Sequence, residues 1–171
     1  ATYTEVLYED REDLAVAYRS GLCNAVSAPA SWLNAIRRGL PEPAVHRILP
    51  ERISKGAFGP VVRSGDNQWF DIVAWTLYAL INAEEAGVTS LNIASLEAAK
   101  THRIRRLLGL EGSFGPGIGL APKFISNVIR TVGNYGEIFE RHFGPASGAT
   151  VVRGQNALWI NGGLLYAPPI E

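Results

Sequence analysis

DNQWFDIVAWTLYALINAEEAG, residues 66–87, is the most apolar stretch of this chain of 171 residues. Asp66 can accept hydrogen bonds from the free amide groups at the start of a helix, and Gly87 is suited to end one. The apolar part is interrupted by Asp71 and is shorter than the ~20 residues that span a bilayer. The stretch therefore predicts a long buried helix, whose aromatic residues pack in a core rather than stack on a ligand.

Ahead of this helix, extended and helical patterns alternate along the chain. Two helical patterns follow the first two extended ones, with Asp10 and Ser31 as their predicted caps. Strands and helices that alternate over short loops predict a parallel sheet with helices packed on it, which is an α/β class. The four strand candidates are residues 3–8, 22–28, 45–54 and 59–63.

The composition changes at residues 54–60 (SKGAFGP), which makes this segment the best candidate for a domain boundary. We predict a parallel-sheet lobe over about residues 1–55 and a mostly helical part over residues 56–171. The glycine-rich segment 112–119 lacks the Lys-Ser/Thr pair of a phosphate-binding loop and therefore predicts a connection between helices. Helical patterns of the second part include residues 102–109, 122–133 and 133–144, and the Gly- and Pro-rich tail is expected to wrap on a surface.

Charge identifies no partner for this chain. Its 16 basic residues balance 16 acidic ones, so nothing in the charge favours nucleic acid or an anionic membrane. The basic cluster at residues 102–106 could bind an anion or a partner protein, but in a chain without net charge it predicts a solvated helix face. The carboxylates of Glu84, Glu85, Glu137 and Glu140 are assigned to helix surfaces in the same way.

Residues that could carry catalysis or bind metal are scattered in the sequence. His46, His102 and His142 lie far apart, and no serine stands in a nucleophile motif. Cys23 is the only cysteine, so it forms no internal disulfide, and it predicts a small buried apolar side chain rather than a nucleophile. We therefore expect no enzyme activity, no metal site and no cofactor.

Several long strings of the sequence occur in an order that resembles one known family. That family comprises the periplasmic solute-binding proteins for general and polar L-amino acids, which serve ABC importers, and the resemblance is to their C-terminal half. It covers essentially the whole chain. The strings are ILPERISKGAFGPVVRSGDNQWFDIVAWTLYALINAEEAGVTS, LLGLEG, VGNYGEIFERHFGP and NALWINGGLLYAPP.

The resemblance implies the type II periplasmic-binding-protein fold, in which two α/β lobes joined by crossing strands close on one amino acid. Residues 1–50 would be most of the second lobe, and the chain from residue 59 onward would return to the first. The rest of the first lobe, and the opening strand and helix of the second, are expected to lie outside this sequence. A periplasmic location and an ABC permease as partner are implied too, and the implied hinge residues are Lys55, Gly56, Phe58 and Pro60.

The resemblance also assigns the ligand site to GLCNAVSAPAS, residues 21–31. The family pattern there resembles G-R-C-D-x-x-x-x-D, and its last aspartate receives the ligand's α-ammonium group. This chain has Asn24 at the first aspartate and Pro29 at the last, and proline offers neither a carboxylate nor a backbone donor. Asn24, Ser27, Pro29 and Ser31 are thus the positional ligand residues of a site that we expect to be impaired.

Three functions remain open from the sequence. The first is a solute-binding relative without catalytic activity whose amino-acid site is impaired. The second is a binding module that a partner chain or a second copy completes, with a different small solute as ligand. The third is an enzyme, since a few dehydratases share this fold, although residues 21–31 contain no carboxylate that could act as acid or base.

Overall fold

The computed structural model describes residues 2–148 and 151–170. The chain forms two compact units, Ala1–Phe58 and Gly59–Glu171, and each is described by itself below. The boundary between the units therefore falls inside the segment 54–60 that the composition singles out.

The first unit is built on two short helices, α1 (Arg11–Arg19) and α2 (Ala30–Arg38), followed by a turn of 3-10 helix at Pro43–Val45. Asp10 begins α1 as predicted, because its carboxylate accepts hydrogen bonds from the amide groups of Glu12 and Asp13. Four apolar side chains are buried in this unit, which makes its core small: Ala15, Ala17, Ile36 and Leu40.

The parallel sheet predicted for residues 1–55 is not observed. Within the described part of the chain, β pairing consists of one isolated bridge, between Leu158 and Leu165 in the second unit. The backbone of residues 2–8 and of 24–28 makes no hydrogen bond in the described structure. A strand exists only when a neighbouring strand accepts and donates its backbone hydrogen bonds, and the described residues 2–55 contain no such pairs. The prediction of a sheet in this lobe was therefore wrong for this chain.

Side-chain contacts still bring the ends of these strand candidates together. The Tyr18 hydroxyl hydrogen-bonds His46 Nδ1 at 2.8 Å, which connects α1 to the segment after Pro43–Val45. Tyr8 lies beside Cys23, and desolvation together with the Cys23 thiol raises the pKa of the Tyr8 hydroxyl. Tyr8 ends the first strand candidate and Cys23 is the second residue of the next one, so these segments converge without forming a ladder.

The second unit is helical. Its helix α3 (Asn67–Glu85) begins at Asp66, whose carboxylate accepts the amide of Trp69 as predicted, and Gly87 follows the helix with a positive φ of 67°. The glycine-rich connection at 112–119 contains one short helix that the sequence did not predict. The remaining helices are α4 (Ile93–Leu96), α5 (His102–Leu107), α6 (Phe114–Gly117), α7 (Phe124–Val132) and α8 (Tyr135–Phe143).

The core of the second unit lies around the C-terminal half of α3. Its main cluster joins α3 to α5 and α7, and a smaller cluster joins α3 to the tail. Trp75 reaches the main cluster by an edge contact with Phe114, whose ring centroid is 5.0 Å away. The fully buried members of the main cluster include Ala83, Val88, Leu108 and Ile129.

The prediction that α3 is buried along its length holds only for its second half. The run from Ala79 to Ala83 is buried, whereas Trp69 and Phe70 are 51% and 58% exposed. A helix that is apolar on all sides needs packing partners on all sides. The described residues of the second unit pack against α3 from Trp75 onward, whereas Trp69 and Phe70 lie outside both clusters.

Candidate functional site

The segment that the sequence assigns to the ligand leads directly into α2. Pro29 occupies the position before the first helical residue, with a φ of −51°, and no side chain caps the helix. Because the ring fixes φ near this value, proline is compatible with the position, but it supplies no oxygen to the first amide groups. The first turn of α2 also contains no acidic residue. This end of the helix therefore offers nothing that would bind a cation.

The predicted ligand residues all lie on the surface of the first unit. Asn24, Ser27, Pro29 and Ser31 are exposed, and none of the three polar side chains makes a hydrogen bond within the described residues. Ser31 was predicted to cap the helix, but the helix begins one residue earlier, at Ala30, so Ser31 lies within its first turn. The prediction of the cap was wrong because the residue after Pro29 already adopts helical geometry.

Two cavities of the described structure are smaller than a typical solute site. One, of about 160 Å³, lies between α1 and the C-terminal half of α2, where Arg11, Arg19 and Ile36 contribute to its lining. The other, of about 60 Å³, lies in the second unit beside Asn82 and Arg103. Solute sites usually enclose roughly 300–1,000 Å³. Neither cavity contains any of the predicted ligand residues.

The residues predicted for the hinge lie around the boundary between the units. Lys55, Gly56, Phe58 and Pro60 are exposed, and the ring of Phe58 is 91% exposed. The backbone of residues 54–60 makes no hydrogen bond in the described structure. Such a segment can change its dihedral angles without breaking contacts, as a hinge requires. The hinge role itself stays a prediction.

The basic cluster of α5 is neutralised by nearby carboxylates. Glu111 accepts from His102 Nδ1 at 2.9 Å and from Arg105 Nε at 3.3 Å, while Arg103 donates to Glu85 at 2.7 Å. The hydrogen bond from His102 is the main cause that holds the pKa of the Glu111 carboxyl below its usual value. The cluster is thus a solvated ion-pair network, as the sequence predicted, rather than an open anion site.

Among the residues that the structure describes, no group of three or more His, Cys, Asp or Glu side chains could hold a metal ion. None of the helices in residues 2–148 and 151–170 has both the length and the apolar character needed to cross a bilayer.

Sequence reasoning missed three carboxylates that connect distant segments of the second unit. Glu84 forms a two-point ion pair with Arg153, at 2.8 and 3.1 Å, and both side chains are less than one-fifth exposed. Glu85 accepts from the indole of Trp159 as well as from Arg103. Of the three, only the contact of Glu137 could be predicted from the sequence, because Asn134 and Glu137 have the spacing of a capping box. The structure contains this capping box. The assignment of these three to a solvated surface was wrong.

Comparisons with known proteins connect this geometry to a family. No protein-family model matches the chain. The chain is 47% identical over 171 residues to the general L-amino acid-binding periplasmic protein AapJ of Rhizobium johnstonii, covering 99% of the chain and 50% of that relative. It is also 47% identical to the putative amino-acid ABC transporter-binding protein YhdW of Escherichia coli, over 99% of the chain and 50% of YhdW.

Two further relatives are named for other ligands. The glutamate/glutamine/aspartate/asparagine-binding protein BztA of Rhodobacter capsulatus is 47% identical over 99% of the chain and 51% of BztA. A solved ABC transporter / periplasmic binding protein from Brucella ovis with glutathione bound superposes with a TM-score of 0.87 and 44% identity. That superposition covers 97% of this chain and 52% of the solved one.

The superposition defines the class of protein as one with the periplasmic-binding-protein fold, which is consistent with the predicted α/β class. Together with the sequence matches, it shows that the chain corresponds to the C-terminal half of the amino-acid solute-binding proteins of ABC transporters, which it resembles over 97–99% of its length. The chain spans about half the length of the curated relatives it matches. The resemblance read from the sequence is confirmed, and the relatives are named as binding proteins, not as enzymes.

Proposed function

We propose that this chain contributes one half of a solute-binding protein for ABC import, without catalytic activity, and that its own part of the amino-acid site is impaired. Its similarity to these binding proteins over 99% of its length supports the first part. The single observation that carries the second is Pro29, which occupies the N-cap of α2 with no carboxylate in the first helical turn. In this proposal the chain acts in the periplasm and delivers its solute to an ABC permease.

The impairment follows from the charge of the ligand. A free amino acid carries an α-ammonium group, which needs a carboxylate or several carbonyl acceptors once it is removed from water. Hydrogen bonds to charged groups contribute about 1.5–3 kcal/mol each, so losing the carboxylate reduces affinity by roughly tenfold to more than a hundredfold. Asn24 and Ser27 can hydrogen-bond the solute, but they carry no charge that would replace it.

The arrangement in lobes belongs to the same proposal. Residues 1–55 would form part of one lobe, residues 56–171 would return to the other, and the exposed segment 54–60 would act as the hinge. The ligand would lie at the segment 21–31, between this half and the half that the chain does not span. The alternative is that the site takes a solute without a free ammonium group at this position. Glutathione, which the solved relative contains, keeps a free α-ammonium group on its glutamyl residue, so it belongs in a ligand panel as an amino-acid derivative and not as an example of such a solute.

The first prediction tests the impairment by restoring the carboxylate. The N-terminal half of AapJ is fused to this chain, and the fusion is compared with its Pro29→Asp variant by isothermal titration calorimetry against the twenty amino acids and glutathione. We expect the parent fusion to bind no free amino acid tighter than about 1 mM, and the variant to gain at least about tenfold for one or more of them, because the ammonium regains its partner.

The control is Pro41→Asp, which adds the same charge at an exposed proline after α2. It should leave affinity unchanged. Micromolar binding of a free amino acid by the parent fusion would contradict the proposed impairment. Equal gains from Asp at positions 29 and 41 would show that added charge acts nonspecifically.

A further inference from the structure

The cavity between α1 and α2 combines two arginines with an apolar floor. Its volume is about 160 Å³, and Arg11, Ala15 and Arg19 line it from α1. Since each of these residues is four positions from the next, they share one side of the helix. Ile36 lines the cavity from α2, and both Ala15 and Ile36 are buried. The apolar floor therefore lies between an arginine at the first position of α1 and another at the last.

Both arginines are available to an anion. Arg19 makes no hydrogen bond or ion pair within the described residues. Arg11 donates to Glu12 Oε1 from Nε at 3.3 Å and from Nη2 at 3.0 Å, which engages one edge of its guanidinium group and leaves the donors of the other edge. A cation at the first position of a helix opposes the helix dipole, so helix stability does not explain Arg11. With Glu12 as the lining carboxylate, the cavity keeps an excess of positive charge.

The spacing of the arginines favours one shape of anion. Arg11 and Arg19 begin and end α1, so the helical rise separates their Cα atoms by about 12 Å. A compact anion bound by both would lie over Ala15 and Ile36, where an apolar floor would replace part of its hydration. An anion with a carboxylate at each end of a short methylene chain instead places its charges on the arginines and its methylene groups on the floor. An apolar cavity of roughly 150 Å³ can hold benzene, so the room is sufficient for such a chain.

We propose that the cavity between α1 and α2 binds a small linear dicarboxylate, with glutarate as the representative of this class. One carboxylate is bound by Arg11 and the other by Arg19, and the methylene chain packs on Ala15 and Ile36. This site is separate from the segment 21–31 that is assigned to the imported solute, because no residue of that segment lines the cavity. The inference therefore goes beyond the proposed transport function and does not depend on it.

The test is an NMR titration of the chain of 171 residues at constant ionic strength, with the backbone amides of Ala15 and Gly39 as reporters because both residues line the cavity. Glutarate should shift both signals along a saturable curve, with a Kd of roughly 1 mM for two exposed ion pairs. Butyrate and inorganic phosphate should bind at least about tenfold more weakly, since butyrate has one carboxylate and phosphate has no apolar chain. Arg19→Gln, and Ala35→Leu, which fills the cavity without a change of charge, should each weaken glutarate binding at least about tenfold.

Arg38→Gln is the matched control, since Arg38 is an exposed arginine of α2 that does not line the cavity. It removes the same charge as Arg19→Gln and should leave the affinity for glutarate unchanged. The proposal is overturned if glutarate at about 20 mM shifts neither reporter, if butyrate or phosphate binds as tightly as glutarate, or if Arg19→Gln behaves like Arg38→Gln. The amide spectrum without ligand shows whether each variant is folded. If Arg19→Gln does not fold, Ala35→Leu decides: unchanged affinity in that variant also overturns the proposal.

Discussion

At the scale of single residues, Glu137 forms more contacts than its position on a short helix suggests. Its carboxylate accepts from the hydroxyl and the amide of Ser90 and from the amide of Asn134, at distances from 2.6 to 3.2 Å. Burial acts to raise the pKa of the Glu137 carboxyl, but the hydrogen bonds from Ser90 and Asn134, with the charge of Arg141, outweigh it and lower the pKa. One carboxylate thus joins the start of α8 to the loop after α3.

The second prediction concerns the pH dependence that Glu137 contributes. Because its folded-state pKa lies below the unfolded value of about 4.3, its stabilisation is fully present above that pH and is lost as the pH falls through the folded-state pKa. Glu137→Gln should lower the free energy of unfolding by about 1–3 kcal/mol at neutral pH, and by less near pH 3. Urea unfolding of both proteins across this range measures the difference.

Glu140→Gln serves as the control for this experiment, since Glu140 lies on the same helix with its side chain exposed. If Glu137→Gln lowers the free energy of unfolding by the same amount at every pH, the ionised carboxylate is not the source of the stabilisation.

At the scale of elements, the contact between the end of α5 and the start of α7 depends on a glycine. Gly109 follows α5 with a φ of 67°, and a Cβ atom there would lie 1.8 Å from the carbonyl oxygen of Pro122. Ser126 of α7 donates to the carbonyl oxygen of Leu108 at 2.7 Å, which holds the two backbones together. The close approach therefore leaves no room for a side chain.

The third prediction compares two glycines with similar backbone geometry. Gly112 has a φ of 83° but open space around its missing Cβ. Gly112→Ala should cost roughly 1–2 kcal/mol from the left-handed conformation alone. Gly109→Ala should cost about 1–3 kcal/mol more, because the backbone of α7 must move. Chemical denaturation of both variants measures this difference, and equal costs would show that the junction relaxes freely.

At the scale of the whole molecule, the two units differ in how much core they contain. Four buried apolar side chains stabilise the first unit, whereas the second unit contains the main and the smaller hydrophobic cluster around α3. The segment that joins the units is exposed and lacks backbone hydrogen bonds. Local unfolding should therefore cost the least free energy in this segment and in the residues that precede it.

The fourth prediction is the order of proteolysis. Trypsin should first cut after Lys55 or Arg63, because an exposed backbone without partners fits a protease cleft directly, whereas Arg130 in α7 becomes accessible only after unfolding. Mass spectrometry of a time course should show a C-terminal product that outlasts residues 1–55. First cuts inside α5 or α7 would contradict this order of stability.

Much of the helical structure and the family could be predicted from the sequence. Asp10 and Asp66 begin α1 and α3 as predicted, since a helix cap needs only hydrogen bonds between residues two or three positions apart. The family was evident because long strings such as VGNYGEIFERHFGP occur in order. Pro29 also indicated from the sequence that the position expected to receive the α-ammonium group carries no carboxylate.

Only the tertiary structure shows which segments that are distant in the sequence pair with each other. The strand patterns at 3–8, 22–28 and 45–54 form no sheet, because strand hydrogen bonds require a neighbour that the first unit does not supply in its described residues. Glu84 looked like a surface charge until the fold brought Arg153 to it across 69 residues of sequence. The apolar pattern of α3 indicated burial but not its extent, since burial depends on which other polypeptide segments pack against the helix. Local hydrogen bonds are thus determined by the sequence alone, whereas strand pairing and burial depend on partners that only the assembled structure contains.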